Sequence, residues 1–368
     1  MLFSLLTINL LAQQKLNVKG QLSGITSFSP DNDLDWFVGG RYIPEASFKI
    51  RLDSIHNLNF NVALNMDASL LFHPFSNSET DGNIDPYRIW VRYTGKQYEI
   101  RIGLQKIDFG SASVLRPIQW FNEIDPRDPL AITAGVNAFL GRYYFKNNAN
   151  IWLWGLYGNE DPRGFDIAGT YKKDPEFGGR FQSPVPKGEL AVSYHHRTAD
   201  ATNIFPSPDL EQIPENRLGL DGKWDVGVGL WFESAYIKKE KNLGEQFLGT
   251  LGIDYTFPVG SGLMLVVEHM YIEYALDGAG LNAKANTSAI NLSYPIGFFD
   301  NLSVFATYSW EAEAPSLFVN FQHDFRKVTT YLMAYYTPST TLNFGNEDSD
   351  FVSNFTGPGL RLMVLFKH

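Results

Sequence analysis

Two sets of side chains in this sequence could act together on ions and polar solutes. The first set is basic and lies on segments in which polar and apolar residues alternate: Arg88, Arg92, Arg101 and Arg142. The second set is mixed in charge, includes an indole, and lies in one long segment without alternation: Arg116, Trp120, Glu123, Asp125, Arg127 and Asp128. Opposite charges that face each other across water create a field that sorts polar solutes by charge and dipole. These residues therefore predict the sorting of solutes rather than the breaking of bonds.

Residues that could support catalysis or metal binding are sparse. The chain has no cysteine, which excludes disulfides, thiolate metal sites and a cysteine nucleophile. His195 and His196 are adjacent, so on a strand they point to opposite faces and cannot share a metal ion. Ser193 lies near both histidines, but the spacing supplies no set of nucleophile, base and orienting group. We therefore expect neither an enzyme nor a metal or other cofactor.

The elements that would position the charged residues are long β-strands. From Leu58 to Leu70 every even-numbered residue is apolar, and the odd-numbered residues are polar except Ala63. This period of 2 indicates a strand, and the strand is longer than the roughly five or six residues usual in soluble domains. A strand that crosses a bilayer at a tilt needs about nine to eleven residues. A soluble sandwich with one wet face would alternate in the same way, so other features have to decide.

The same alternation recurs in about eighteen segments, with sixteen as the alternative count, and no convincing stretch has the helical period. Short turns rich in Pro, Gly, Asn and Asp alternate with long polar connections, among them residues 73–83 and 159–174. If the first strand starts on the inner side of the membrane, every long connection falls on the outer side, which is typical of outer-membrane barrels. Aromatic residues, which make up 15 % of the chain, cluster at segment ends as they do at membrane interfaces. We predict an all-β fold, a transmembrane antiparallel β-barrel whose closure removes unpaired strand edges.

The N-terminus and the net charge indicate the setting of this barrel. Residues 1–12 carry an apolar run that ends in Ala12, which predicts a signal peptide followed by a single barrel domain, residues 13–368. The formal net charge of −10 argues against a nucleic-acid partner. The apolar strand faces predict lipid as the partner of the outer surface.

In this architecture, and in the segment LRPIQWFNEIDPRDP, the sequence resembles the outer-membrane porins of Gram-negative bacteria. The resemblance covers nearly all of the chain after residue 12. It implies a location in the cell outer membrane, passive diffusion of small hydrophilic solutes, and a homo-oligomer as one possible assembly. It also implies that residues 106–135, the third long connection, fold back into the lumen as a constriction loop. The four arginines would then form a basic wall that faces the carboxylates of this loop.

The apolar side chains of residues 106–135 support the same placement, because they would be costly to leave in water. An outer loop packed on its neighbours would hide them as well. Several rings are predicted to point into the lumen, where they could guide sugars or pack against an in-folded loop: Trp90, Trp152, Trp154, Trp231, Phe318, Tyr331 and Tyr335.

Three functions fit these observations. The first is a porin for passive diffusion through a constricted, charged lumen. The second is a substrate-selective channel for sugars, or for anionic solutes held by the arginine row. The third is a non-conducting barrel that acts as a structural or assembly partner in an outer-membrane complex. Conductance in a planar bilayer separates the first two functions from the third.

Overall fold

The structure is a computed structural model that describes residues 15–202, 204, 206–241, 243–276, 281–338, 355 and 357–368. The predicted signal peptide, residues 1–12, lies outside the described residues. Within them the chain forms nineteen β-strands and one short 3-10 turn, Pro208–Leu210. In chain order the strands are β1 (Lys15–Phe28), β2 (Trp36–Arg51), β3 (Asn57–Phe72), β4 (Ser78–Thr94), β5 (Tyr98–Gln105), β6 (Val136–Tyr144), β7 (Asn150–Leu156), β8 (Gly169–Thr170), β9 (Glu176–Val185), β10 (Gly188–Asp200), β11 (Ile213–Asp225), β12 (Gly229–Lys239), β13 (Glu245–Phe257), β14 (Leu263–Leu276), β15 (Leu281–Pro295), β16 (Asp300–Ser309), β17 (Ala314–Asp324), β18 (Val328–Thr337) and β19 (Gly357–Lys367).

The strands close into one antiparallel barrel. Each strand pairs with its neighbours along the chain, β7 pairs directly with β9, and β1 completes the ring by pairing with both β2 and β19. The two-residue strand β8 lies within a connection and pairs with the end of β10. The wall of the barrel therefore has eighteen strands. This confirms the predicted architecture and decides against sixteen.

The alternation along each strand separates an apolar outer surface from the interior. On β3 the even-numbered residues face outward, where Val62 is 48 % exposed, and the odd-numbered residues face inward, where Ala63 is 1 % exposed. The outer face continues around the ring, with Leu251 on β13 at 68 % and Leu332 on β18 at 56 % exposure. An apolar band of this extent suits hydrocarbon rather than water. None of the described residues forms a helix that is long and apolar enough to cross a membrane.

The two ends of the barrel differ in the length of their connections. At one end, which we call the turn end, the connections are 52–56, 95–97, 145–149, 186–187, 226–228, 258–262, 296–299 and 325–327. At the opposite end, the loop end, the fully described connections are 29–35, 73–77, 106–135, 157–175 and 310–313. The predicted placement of the long connections on one side is confirmed.

The prediction of a long connection at residues 73–83 is wrong. The turn there covers only residues 73–77, and β4 already begins at Ser78. Every residue from 78 to 86 is exposed, and the outward positions of this part of β4 include Ser78, Thr80 and Gly82. With polar residues on both faces the alternation is lost, so the sequence of this part of the strand resembles that of a loop.

Candidate functional site

The connection between β5 and β6, residues 106–135, crosses the inside of the barrel; we call it the inner segment. Its tip is held by the opposite wall. The carboxylate of Glu268 on β14 accepts hydrogen bonds from three consecutive backbone amides, those of residues 113–115, at 2.6, 2.9 and 2.6 Å. The same carboxylate accepts a hydrogen bond from the indole of Trp231 at 2.8 Å. One buried carboxylate therefore satisfies four donors that the interior would otherwise leave without a partner.

Two further carboxylates of the same wall hold the residues on either side of this tip. Glu233 on β12 accepts hydrogen bonds from the backbone amides of Ala112 and Ile118, at 2.9 and 2.8 Å. Asp221 on β11 accepts one from the hydroxyl of Ser111 at 2.9 Å. The contacts thus extend over β11, β12 and β14, on the far side of the barrel from the strands that the inner segment connects.

The apolar side chains of the inner segment pack on inward-facing rings of β7 and β10. The ring of Phe109 lies 5.4 Å from that of Trp154, and the ring of Phe121 lies 5.0 Å from that of His195. Trp120 stacks on the imidazole of His195 at 6.0 Å. Of the two uses considered for the inward rings, the geometry at this position favours packing against the inner segment.

Three of the four predicted arginines gather around one carboxylate. Arg92, Arg101 and Arg142 approach Glu99 of β5 with nitrogen–oxygen distances of 3.7, 2.9 and 3.6 Å. The guanidinium of Arg142 also lies 3.7 Å from the ring centroid of Trp152, a cation–π contact. Because three positive groups share one negative group, this cluster keeps a positive charge.

The fourth arginine, Arg88, links the wall to the inner segment. One of its guanidinium nitrogens donates to the backbone carbonyl of Thr133 at 2.9 Å. Between Arg88 and the cluster, the ring of Trp90 lies under Arg92 and Arg101, at 5.3 and 4.9 Å from its centroid. The four arginines are therefore adjacent on β4, β5 and β6.

The carboxylates of the inner segment are bonded within the segment itself. Asp125 forms a two-pronged pair with Arg127, at 2.9 and 2.8 Å. Asp128 accepts hydrogen bonds from the backbone amides of Leu130 and Ile132, at 2.9 and 3.0 Å. Burial raises the pKa of Asp128, and the two amide hydrogen bonds oppose that rise.

The remaining predicted residues of the inner segment are also engaged locally. Arg116 pairs with Asp108 at 2.6 Å, and the backbone amide of Glu123 donates to the hydroxyl of Thr133 at 3.1 Å. Burial acts to raise the pKa of Asp108, but the interactions with Arg116 and Lys106 together outweigh it and lower that pKa. Asp108, Asp125 and Asp128 thus have hydrogen-bond partners within the inner segment, while the wall keeps the net positive charge of its arginines; the field expected between wall and loop stays a prediction. The wall meets its carboxylate in Glu99, which the sequence analysis missed.

Several solved structures, among them an outer-membrane channel, have this architecture. OccD3 of Pseudomonas aeruginosa aligns with 96 % of this chain and 91 % of its own, with a TM-score of 0.59 and 10 % identity. The outer-membrane channel DcaP of Acinetobacter baumannii covers 97 % and 98 %, with a TM-score of 0.52 and 11 % identity. An anion-selective porin from Comamonas acidovorans covers 97 % and 100 %, with a TM-score of 0.52 and 10 % identity. No family model and no curated protein sequence matches the chain.

The chain has the porin fold. Its similarity to the solved porins concerns the path of the backbone, since about nine of every ten aligned residues differ. Side chains that bind, select or gate in those proteins are therefore not transferable by position, and the interior of this barrel has to be described from its own contacts.

A second connection also enters the barrel. The sequence analysis did not predict this entry. It covers residues 157–175, and we call it the second loop. Asp166 at its centre accepts a hydrogen bond from Arg217 at 2.7 Å and lies 3.0 Å from Arg197, both of which are buried on the inner wall. Arg163 of the same loop is buried as well and donates to a carboxylate of β9 at 2.6 Å. These ion pairs fix the second loop to β9, β10 and β11.

The second loop rests directly on the inner segment. At Gly164 an added Cβ would lie 2.1 Å from the backbone carbonyl oxygen of Gln119, so the two backbones meet without room for a side chain. Phe165 packs against the buried apolar cluster that includes Phe121 and Trp154. The two connections therefore form two layers that fill one side of the lumen.

Buried residues occur almost all the way around the barrel. Every described strand except β4 contains at least one buried residue, whereas no position of β4 is buried. At the turn end a recess of about 690 Å³ lies beside β10–β13, with Lys187, Lys223 and Asp254 in its lining. β4 is therefore the strand along which the packing is least complete.

Proposed function

We propose that this protein is an outer-membrane porin through which small hydrophilic solutes diffuse passively past a charged constriction. The inner segment carries the proposal, because an eighteen-strand barrel is wide enough for an aqueous lumen and the segment narrows it. The apolar outer band and the predicted signal peptide at residues 1–12 support a place in outer-membrane lipid. Two of the similar structures are a channel and an anion-selective porin, which agrees with transport. Self-assembly into an oligomer is part of the same proposal.

In this proposal the two predicted sets of residues have different roles. Arg88, Arg92, Arg101 and Arg142 form the charged wall of the constriction, with Glu99 at its centre. The inner segment forms the opposite side of the constriction. Its charged groups stabilise the conformation of its own backbone rather than contact the solute. Trp120 anchors the segment by stacking on His195.

The experiment that tests a porin function is conductance after reconstitution into a planar bilayer. Wild-type protein should give stepwise currents. The variant Glu268→Ala with Glu233→Ala, which frees the inner segment, should give larger steps. A heat-dependent shift in gel mobility confirms that each variant forms a barrel. If folded wild-type and folded variant both fail to conduct, the protein is not a porin.

A non-conducting barrel is the second candidate, because every described strand except β4 contains a buried residue. Such a barrel would serve as a structural partner in a membrane complex. This candidate predicts no current from the wild-type protein. It also predicts no current from the variant with a released inner segment, because the second loop still fills the barrel.

A sugar-selective channel is not favoured by the inward rings. Trp154 packs on Phe109, Trp231 donates to Glu268, and Tyr335 packs on Phe355 at 5.0 Å. Rings that are engaged in this way do not offer their faces to a passing sugar.

A further inference from the structure

The inward face of β4 carries both signs of charge, one after the other along the strand. Near the loop end its inward residues include Asp81 and Asp85. A bulge at Tyr87 shifts the register opposite β3, and beyond it Arg88 and Arg92 point inward toward the turn end. At about 3.3 Å per residue, Asp85 and Arg92 lie roughly 20 Å apart along the strand.

The negative end of this face is exposed and keeps its charge. Asp81 and Asp85 are both exposed. Asp85 accepts a hydrogen bond from the neutral amide of Asn83 at 2.6 Å, which leaves the carboxylate charge in place. The nearby Asp67 of β3 lies directly across from Arg41 of β2, so it adds little. We call Asp81 and Asp85 the acidic patch.

The positive end is extended by neighbouring strands. Arg92 pairs across the sheet with Arg101 of β5, and Arg142 of β6 pairs with Glu99. The side chain of Arg92 is 32 % exposed, so the cluster is in contact with solvent. We call Arg88, Arg92, Arg101 and Arg142 the basic patch.

We infer that the route for solutes follows β4 and favours small zwitterions over ions of a single sign. This inference rests on the proposed porin function and names its substrate class. Along the strand, Asp85 and the arginines around Glu99 are farther apart than the screening length of about 8 Å at physiological ionic strength, so these two ends act separately, with Arg88 between them. An anion is repelled by the acidic patch, and a cation is repelled by the basic patch. A zwitterion has no net charge to repel and can turn its ammonium group to the first patch and its carboxylate to the second.

This arrangement differs from a field across the pore. Opposite charges on facing walls orient a dipole sideways at one depth, whereas here the charges succeed each other along the axis of one wall. The difference is measurable, because the loss of either patch alone should remove the preference for zwitterions and replace it with a preference for one sign.

The test compares two uncharged-overall solutes of similar size in liposome swelling: γ-aminobutyric acid, a zwitterion, and erythritol, which has no charges. Wild-type liposomes should swell severalfold faster in γ-aminobutyric acid. The ratio of the two rates should fall toward one in Asp81→Asn with Asp85→Asn, and also in Arg88→Gln with Arg92→Gln. The matched control is Asp324→Asn on β17, an inward carboxylate that Thr329 and Gln322 bond locally. It should leave the ratio unchanged.

The route itself is tested with single cysteines, since the chain has none. Asn59 faces Arg92 on the proposed route, and Ser303 on β16 points inward at a similar distance from the turn end. A bulky thiol reagent should reduce the conductance of Asn59→Cys and leave that of Ser303→Cys unchanged.

The outcomes separate this inference from the proposed function. If liposomes swell but the two rates are equal, or if Asp324→Asn lowers the ratio as much as the β4 variants do, the zwitterion inference is wrong and the porin function stands. Equal block at Asn59→Cys and Ser303→Cys overturns the route. An absence of swelling and of conductance in folded protein overturns both proposals together.

Discussion

Glu268 and Leu115 are 153 residues apart in the sequence, yet the Glu268 carboxylate accepts the Leu115 backbone amide hydrogen at 2.6 Å. The carboxylate lies on β14 and the amide on the segment between β5 and β6, so the bond crosses the barrel. Buried amides have no water to accept their hydrogen bonds when this carboxylate is lost. The position of the inner segment therefore depends on Glu268.

Replacing Glu268 with alanine should therefore release the tip of the inner segment. Hydrogen bonds to a charged group each contribute about 1.5–3 kcal/mol, and Glu268 accepts four, so the stability loss should exceed about 3 kcal/mol. Urea unfolding measures this loss, and limited proteolysis should show new cleavage within residues 106–135. The control is Glu273→Ala, on the outer face of the same strand in an exposed pair with Lys284. Similar protease patterns for both variants would contradict the anchoring role of Glu268.

Gly110 should tolerate no side chain. Its φ of +116° is unfavourable for other residues, and a Cβ there would lie 2.4 Å from a carboxylate oxygen of Glu233. Backbone strain of this kind costs about 1–3 kcal/mol, so Gly110→Ala should lower the unfolding free energy by at least that range. Gly24→Ala is the control, because a Cβ at Gly24 meets nothing within 4 Å. Equal stability of the two variants would show that the backbone at Gly110 is not constrained.

The second loop should depend on Asp166. This carboxylate lies between two buried guanidinium groups, those of Arg197 and Arg217, and removing one partner of a buried ion pair costs about 3–5 kcal/mol. Asp166→Asn should therefore lower stability and, by loosening the loop, raise conductance. Asp209→Asn, an exposed change at the loop end, serves as the control. Wild-type conductance and stability in the Asp166→Asn protein would show that the second loop does not close its side of the lumen.

The fold followed from the sequence because strand alternation is local and periodic. In β3 the polarity of each residue predicts the face on which it lies. The same holds for any strand with one face in apolar surroundings and the other in polar surroundings. The same logic failed at residues 78–86, where both faces of β4 carry polar residues. Glu99 could have been found: it precedes Arg101 by two residues and therefore shares its face.

The interior contacts could not be predicted in the same way. Glu233 and Glu268 point inward, but most of their partners are backbone amides, which every residue except proline supplies. No residue type therefore marks the point at which the inner segment binds. The second loop is polar like an outer loop, and the match of Asp166 to Arg197 and Arg217 exists only once β10 and β11 are adjacent.

The orientation of the barrel can be tested by labelling intact cells. Barrels of this kind place short turns in the periplasm, so Lys187→Cys at the turn end should be protected and Asp209→Cys at the loop end should react with an impermeant thiol reagent. The polar connection that contains Asp348 is also predicted on the outer side, but Asp348 lies outside the described residues. Permeabilised cells should label both positions. Reaction at Lys187→Cys on intact cells would reverse the orientation.

The outer face of β3 should reject charge where the inner face accepts it. Val62 points outward within the apolar band, and an arginine near mid-bilayer on such a face costs about 2–4 kcal/mol. Val62→Arg should therefore lower the yield of folded barrel in lipid vesicles, measured by heat-dependent gel mobility. Asn65→Arg, three residues along the strand, places the same side chain inside, close to Asp67 and Asp85, and should fold like the wild type. Equal damage at both positions would mean that both faces are packed in protein, as in a soluble sandwich, and that the apolar band does not face lipid.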